Sequence, residues 1–172
     1  SKEVRDYLAS RGYSEKDIEA MELGYIPSQE KLFKHLQSKD FTQAQIEDAL
    51  PLNKGIGSTH KLSIPYRSGG SIKGFKFRTI GEDTPKYLNS TGLDKSGGFF
   101  NLSGIKGDKD IVIVEGELDS LSATARGVEN VVATGGKRIS PGQIQDAIRR
   151  GAKTFTLCFD REPGKEEETA KD

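Results

Sequence analysis

Two acidic clusters in the chain have the residue types and the spacing of a metal-dependent catalytic site. Glu115 and Asp119 belong to the string Glu-Gly-Glu-Leu-Asp, and Asp160 and Glu162 belong to Asp-Arg-Glu. Each cluster directly follows an apolar run of four or five residues, which is typical of a buried strand in a parallel sheet. The carboxyl ends of parallel strands meet at one sheet edge, where ligands bind. If the two strands are neighbours, Glu115, Asp160 and Glu162 converge.

Converging carboxylates repel one another unless a cation lies among them. Taken singly, each acid would be better explained as a solvated loop carboxylate or a helix N-cap, and Asp119 also suits the positive end of a helix. The two clusters together favour a metal site. Because oxygen ligands suit hard cations, the expected ion is Mg²⁺ or Mn²⁺, and the sequence has no Cys/His set for zinc.

The elements around these clusters alternate between strands and helices from residue 110 onward. This order predicts an α/β, Rossmann-like domain over 110–172, with a further strand expected after it, so that the domain is partial. Cys158, inside the last apolar run, is predicted to be a packing residue. The predicted strands are 111–114, 131–133 and 155–159, and the predicted helices are 117–126, 140–150 and one beginning at 165.

Residues 1–109 are predicted to form an α+β subdomain of short helices followed by a basic β-hairpin. The hairpin joins strands 61–65 and 71–80, and alternation along the second strand places Phe75 and Phe77 inward and Lys76 and Arg78 outward. Residues 52–109 carry ten Lys or Arg against four Asp or Glu, a net charge of +6 in a chain whose formal net charge is zero. This pattern predicts a flat basic surface for a polyanion.

Composition excludes several other classes of protein. No apolar run approaches the roughly 18–20 residues of a membrane span, and one cysteine cannot form an internal disulfide. Thr134-Gly-Gly-Lys137 lacks the spacing of a phosphate-binding P-loop, so an ATP-driven motor is not expected. The composition therefore predicts a cytoplasmic protein with no membrane partner.

Several strings of the chain resemble a known family. The strings 114–119, 133–135 and 158–160, with Glu162 and Gly164, are similar to the TOPRIM domain shared by primases, topoisomerases and some nucleases. Upstream, 72–75 with Arg78, then Asp83–Ser90 and 100–102, resemble the basic subdomain of DnaG-type DNA primases. The opening Tyr7-Leu8 with Arg11-Gly12 is similar to the helical start of the same polymerase domain.

The resemblance implies a primase core that synthesises short RNA primers on single-stranded DNA by metal-dependent nucleotidyl transfer. It assigns catalysis and metal binding to Glu115, Asp160 and Glu162, with Asp119 as a further metal ligand; Glu162 stands where the family has aspartate. The implied partners are the DNA template, nucleoside triphosphates, the RNA primer and a replicative helicase bound through regions outside this chain. Nucleic-acid or nucleotide contacts are expected from Lys76, Arg78, Lys86, Tyr87, Asn89 and Lys137.

Two other functions remain open at this point. One is a fragment of a TOPRIM nuclease or topoisomerase, and the other is a DNA-binding relic of a primase that has lost catalysis. Nucleases and topoisomerases lack the element that Asp83–Ser90 resembles. The change from aspartate to Glu162 is the feature that a relic would explain.

Overall fold

The computed structural model describes residues 1–50, 54–68, 70–102, 105–106 and 110–160. These residues form two compact units. The first consists of Ser1–Tyr66 and Ile72–Leu93, and the second of Arg67–Ser71 and the described residues from Asp94 onward. The predicted domain boundary between residues 109 and 110 stays a prediction.

The first unit begins with four short α-helices, as the capping signals predict. Ser14 and Thr42 each form a capping box, in which the side chain accepts from the third residue of the helix and that residue's side chain accepts from the cap backbone. These bonds satisfy N–H groups that a helix start otherwise leaves without acceptors. The helices are α1 (Lys2–Ser10), α2 (Glu15–Ala20), α3 (Gln29–Gln37) and α4 (Gln43–Ala49).

A four-stranded sheet completes the first unit, and the predicted hairpin forms its centre. The strands are β1 (Gly24–Tyr25), β2 (His60–Ser68), β3 (Ser71–Thr79) and β4 (Tyr87–Asn89), in the order β1-β2-β3-β4. Gly69 of the hairpin turn lies outside the described residues. β1 and β4 were not predicted, because two or three residues are too few to show alternation.

The second unit has the predicted α/β order around a parallel sheet. Its elements are β5 (Asp110–Val114), α5 (Glu117–Ala125), β6 (Val131–Ala133), α6 (Pro141–Arg149) and β7 (Thr154–Leu157). The sheet order is β6-β5-β7, and β5 pairs in parallel with both neighbours. Fully buried Ile111, Ile113 and Val132 lie in the core that the helices cover. Glu162, Gly164 and the helix expected from residue 165 lie outside the described residues.

The prediction of a buried last strand around Cys158 is wrong. β7 ends at Leu157, whose exposed fraction is 55%, and Cys158 is exposed. Among the described residues β7 has a neighbour on one side only. An apolar run shows that a segment can be buried, but it does not show how many neighbours the strand has.

Candidate functional site

Glu115 and Asp160 follow two neighbouring parallel strands, at the carboxyl edge of the second unit's sheet. Glu115 comes directly after β5, and its carbonyl oxygen accepts from the N–H of Gly135 at 3.2 Å. Asp160 comes three residues after β7, whose pairing continues through Cys158 N–H to the Ile113 carbonyl at 2.8 Å. Glu115 is half-buried and Asp160 is exposed. The structure therefore brings the two acidic segments to the same edge, as the strand pattern predicted.

Asp119 lies in the first turn of α5. It is the third residue of that helix, whose N-cap Gly116 has no side chain to accept a hydrogen bond. A Cβ added at Gly116 would lie 2.4 Å from Oδ2 of Asp119, so the glycine makes room for this carboxylate. Asp119 thus sits where the helix dipole favours a negative charge. This geometry accounts for Asp119 without a metal, and its role as a ligand stays a prediction.

The acids at the sheet edge suit a hard cation by their chemistry. Carboxylate oxygens are the donors that Mg²⁺ and Mn²⁺ prefer. Within the part of the chain that the structure describes, no three His, Cys, Asp or Glu side chains are grouped closely enough to hold a metal ion. Glu162, the third predicted ligand, is not among those residues. Glu115 and Asp160 are therefore the described candidates, and their assignment as ligands stays a prediction.

Gln143 and Lys95 hold the loop that follows β6 beside Glu115. The buried amide of Gln143 donates to the carbonyl oxygens of Lys95 and Thr134, each at 3.0 Å. Lys95 Nζ donates to the carbonyl of Gly135 at 2.8 Å. Lys137 lies exposed in the same loop. Sequence reasoning missed both residues, because Gln143 shows only a capping-box pattern and nothing in Lys95 indicates a partner forty positions away.

Gln143→Leu should destabilise the second unit by about 2–4 kcal/mol, because the buried carbonyl of Thr134 and the partly buried carbonyl of Lys95 lose their donors and each such loss costs about 1–3 kcal/mol. Urea unfolding followed by circular dichroism measures the free energy of unfolding. Gln145→Leu is the matched control, since Gln145 is exposed on the same helix. Equal stability of the two variants would show that these hydrogen bonds do not fix the loop.

The basic residues of β3 are not the flat exposed surface that alternation predicted. Lys76 and Arg78 are each only 6% exposed. Lys76 Nζ lies 4.4 Å from the ring centroid of Tyr87, and the guanidinium carbon of Arg78 lies 4.9 Å from that centroid and 5.5 Å from that of Tyr7. Alternation correctly separates these cations from the phenylalanines, but tyrosines from β4 and α1 cover them. The prediction of a flat basic surface is therefore wrong.

Arg78 is a buried cation with no counter-anion among the described residues. Its Nη1 donates to the hydroxyl of Tyr87, which faces it in the β3–β4 register. Within the described part of the chain, its buried Nε has no hydrogen-bond partner, and the same holds for the buried hydroxyl of Tyr7. A buried charge is costly unless it is paired. Among the described residues, Arg78 Nε and the Tyr7 hydroxyl are therefore unused donors that an anionic group could engage.

The turn between β3 and β4 is fixed at both ends, and it presents Lys86. Thr79 Oγ1 donates to Asp83 Oδ2 at 2.8 Å. Nε2 of buried His60 lies 2.7 Å from the carbonyl oxygen of Pro85, within hydrogen-bond distance. Lys86 follows directly and is exposed, as is Asn89. The positioning role of His60 carries no local sequence signal, because its partner is twenty-five residues away.

Each of the two parts of the chain matches a known protein family. The family described as "DNA primase catalytic core, N-terminal domain" matches residues 1–104, which is more than half of the chain. The chain belongs to the DnaG-type DNA primase family. The family described as "Toprim-like" matches residues 112–166, so this primase chain combines the N-terminal core domain with a Toprim domain.

Curated and solved primases agree with this assignment. The DNA primase of Deinococcus radiodurans is 32% identical over 178 residues, which cover 91% of this chain and 30% of that protein. The crystal structure of the zinc-binding and RNA polymerase domains of Aquifex aeolicus primase matches with a TM-score of 0.82 and 29% identity, over 99% of this chain and 45% of that one. The chain thus spans about a third of the length of its curated relatives.

A third relative was solved with nucleic acid. The RNA polymerase domain of Mycobacterium tuberculosis primase, in complex with a double-stranded DNA oligomer with a 6-nucleotide overhang, matches with a TM-score of 0.72 and 26% identity. The match covers 91% of this chain and 56% of that one. Toprim domains typically bind Mg²⁺. In the described residues, no helix of this primase chain combines the length and the apolar character that crossing a membrane requires.

Proposed function

We propose that this chain is the catalytic core of a DNA primase that makes short RNA primers on single-stranded DNA by metal-dependent nucleotidyl transfer. The observation that carries the proposal is the position of Glu115 and Asp160 after neighbouring parallel strands of a Toprim-type sheet. That edge is where open α/β sheets bind ligands. Membership of the primase family supports the choice of reaction.

The acids are proposed to bind the metal and to move a proton. Glu115 and Asp160 would hold Mg²⁺ or Mn²⁺, together with Asp119 and with Glu162, which is outside the described residues. A bound ion of this kind supplies positive charge at the reacting phosphate and lowers the pKa of a coordinated hydroxyl. Glu115, half-buried just after β5, is proposed to accept the proton of the attacking 3′-hydroxyl.

The basic cluster is proposed to hold backbone phosphates of template or nucleotide. Arg78 supports this, because among the described residues its buried Nε has no hydrogen-bond partner and no anion neutralises its charge. The ring of Tyr87 lies against Lys76 and Arg78, so its proposed role is to orient the two cations. Lys86, Asn89 and Lys137 are exposed and would add outer contacts.

The same proposal includes the remaining partners. Nucleoside triphosphates are the substrates, the RNA primer is the product, and a replicative helicase would bind through regions outside this chain. The relative that was solved with overhanging DNA supports a nucleic-acid template. A cytoplasmic location is part of the proposal.

The test is primer synthesis from labelled ribonucleoside triphosphates on single-stranded DNA, using the longer protein that contains this chain. We expect short oligoribonucleotides that require Mg²⁺ or Mn²⁺ and disappear when the metal is chelated. An end-labelled template in the same reaction reports cleavage. Template cleavage without synthesis would favour the nuclease function, and binding without either product would favour a non-catalytic relic.

A further inference from the structure

An open, mainly apolar pocket of about 600 Å³ lies within the first unit, and the proposed primase activity does not use it. It opens between the α3–α4 pair and the sheet. The helices contribute aliphatic side chains together with Phe41, and β3 contributes two aromatic rings. The lining includes Leu32, Leu36, Phe41, Ala49, Lys73 and Phe75.

The pocket lies on the face of β3 opposite to the proposed template contacts. Lys73, Phe75 and Phe77 alternate along the strand and line the pocket. Ile72 and Gly74 also line it near the start of the strand, whereas Lys76 and Arg78, further along, do not line it and contact tyrosine rings instead. Because neither cation lines the pocket, a ligand of the pocket would not compete with nucleic acid for them.

The walls of the pocket leave apolar surface in contact with water. Phe41 is 50% exposed and Ile72 is 47% exposed, and both line it. α3 has no fully buried residue, although its Leu32 and Leu36 face the pocket. Burial of apolar surface away from water lowers the free energy, and exposed apolar patches and grooves are typical of binding sites.

The charge of the lining indicates which ligand would fit. Lys73 is the only charged residue among the described residues that line the pocket. A volume of about 600 Å³ is within the roughly 300–1,000 Å³ of small-molecule sites. We propose that the pocket binds a small amphiphile, with an apolar body between the helices and the sheet and a single acidic group paired with Lys73.

Two matched fluorescent probes test the proposal on this chain. 1-Anilinonaphthalene-8-sulfonate has an apolar body and one anionic group, and N-phenyl-1-naphthylamine has the same body without the anion. We expect saturable binding of both. Lys73→Met should weaken only the sulfonate, by about three- to fivefold, as expected for a partly exposed ion pair. Lys31→Met is the control, because Lys31 is an exposed lysine of α3 outside the lining.

A second pair of variants locates the probes. Ala49→Trp should fill the pocket and abolish saturable binding of both probes, whereas Ala44→Trp on the same helix should not, because both alanines are exposed but only Ala49 lines the pocket. Because the chain has no native tryptophan, the fluorescence of each variant comes from the introduced tryptophan alone. The emission of Ala49→Trp should be blue-shifted relative to that of Ala44→Trp. Equal binding by the two variants, or no response of the sulfonate to Lys73→Met, would overturn the proposal.

Discussion

Glu115→Gln will reduce primer synthesis by about a thousandfold or more, while the fold and the affinity for DNA stay close to those of the parent protein. The amide keeps the size of the side chain, but it cannot neutralise a divalent ion or accept the proton of the attacking hydroxyl. Charge stabilisation at a metal site is worth several kcal/mol, and each 1.36 kcal/mol corresponds to about tenfold in rate. Glu115 is only half-buried, so the core around β5 should accept the change.

Glu129→Gln is the matched control for this experiment. Glu129 is exposed and lies just before β6, at the amino edge of the sheet, so the same chemical change there should leave synthesis unaltered. Both variants should be made in the longer protein and assayed with Mg²⁺ and with Mn²⁺. Circular dichroism and single-stranded DNA binding verify the fold and the affinity. Parent-level primer yield from Glu115→Gln would end the proposed role of this glutamate.

The arrangement behind that prediction could be derived from the sequence. An apolar run followed by Glu115, and another followed by Asp160, predicts two buried strands with acids at their carboxyl ends. The structure confirms the parallel pairing of β5 with β7. Local signals were sufficient here, because strand hydrophobicity and capping boxes depend on residues a few positions apart. The burial of β7 was overestimated, since local signals do not count neighbouring strands.

Contacts between distant segments were not predictable in the same way. Alternation assigned Lys76 and Arg78 correctly to one face of β3, but it could not show that Tyr7 and Tyr87 cover that face. Tyr7 comes from the first helix, seventy-one positions before Arg78. Alternation along a strand predicts the face to which a side chain points, but the residues that the side chain contacts depend on the tertiary fold. The role of Gln143 was not predicted for the same reason, because its two hydrogen-bond acceptors lie on other segments.

Arg78→Met will weaken binding of single-stranded DNA by about tenfold or more, while the free energy of unfolding changes by less than about 1 kcal/mol. Methionine keeps much of the apolar length of arginine and can pack against the same tyrosine rings. Removing a buried charge that has no carboxylate partner in the described part of the chain also removes its desolvation cost, which offsets the lost contact with the Tyr87 hydroxyl. Loss of one phosphate contact should make the negative slope of log K against log salt shallower by about 0.7.

Arg5→Met separates this effect from a general loss of positive charge. Arg5 is an exposed arginine of α1 in an ion pair with Glu15, whose side chain is also exposed, so both DNA affinity and stability should change little. Fluorescence anisotropy at several salt concentrations measures the affinity and the slope, and urea unfolding measures stability. If the fold itself required the positive charge of Arg78, Arg78→Met would give the opposite result. The free energy of unfolding would fall by about 3 kcal/mol and DNA binding would be unchanged. Burial of a guanidinium that has no carboxylate partner among the described residues opposes folding, and the proposed anion would account for its position between two tyrosines.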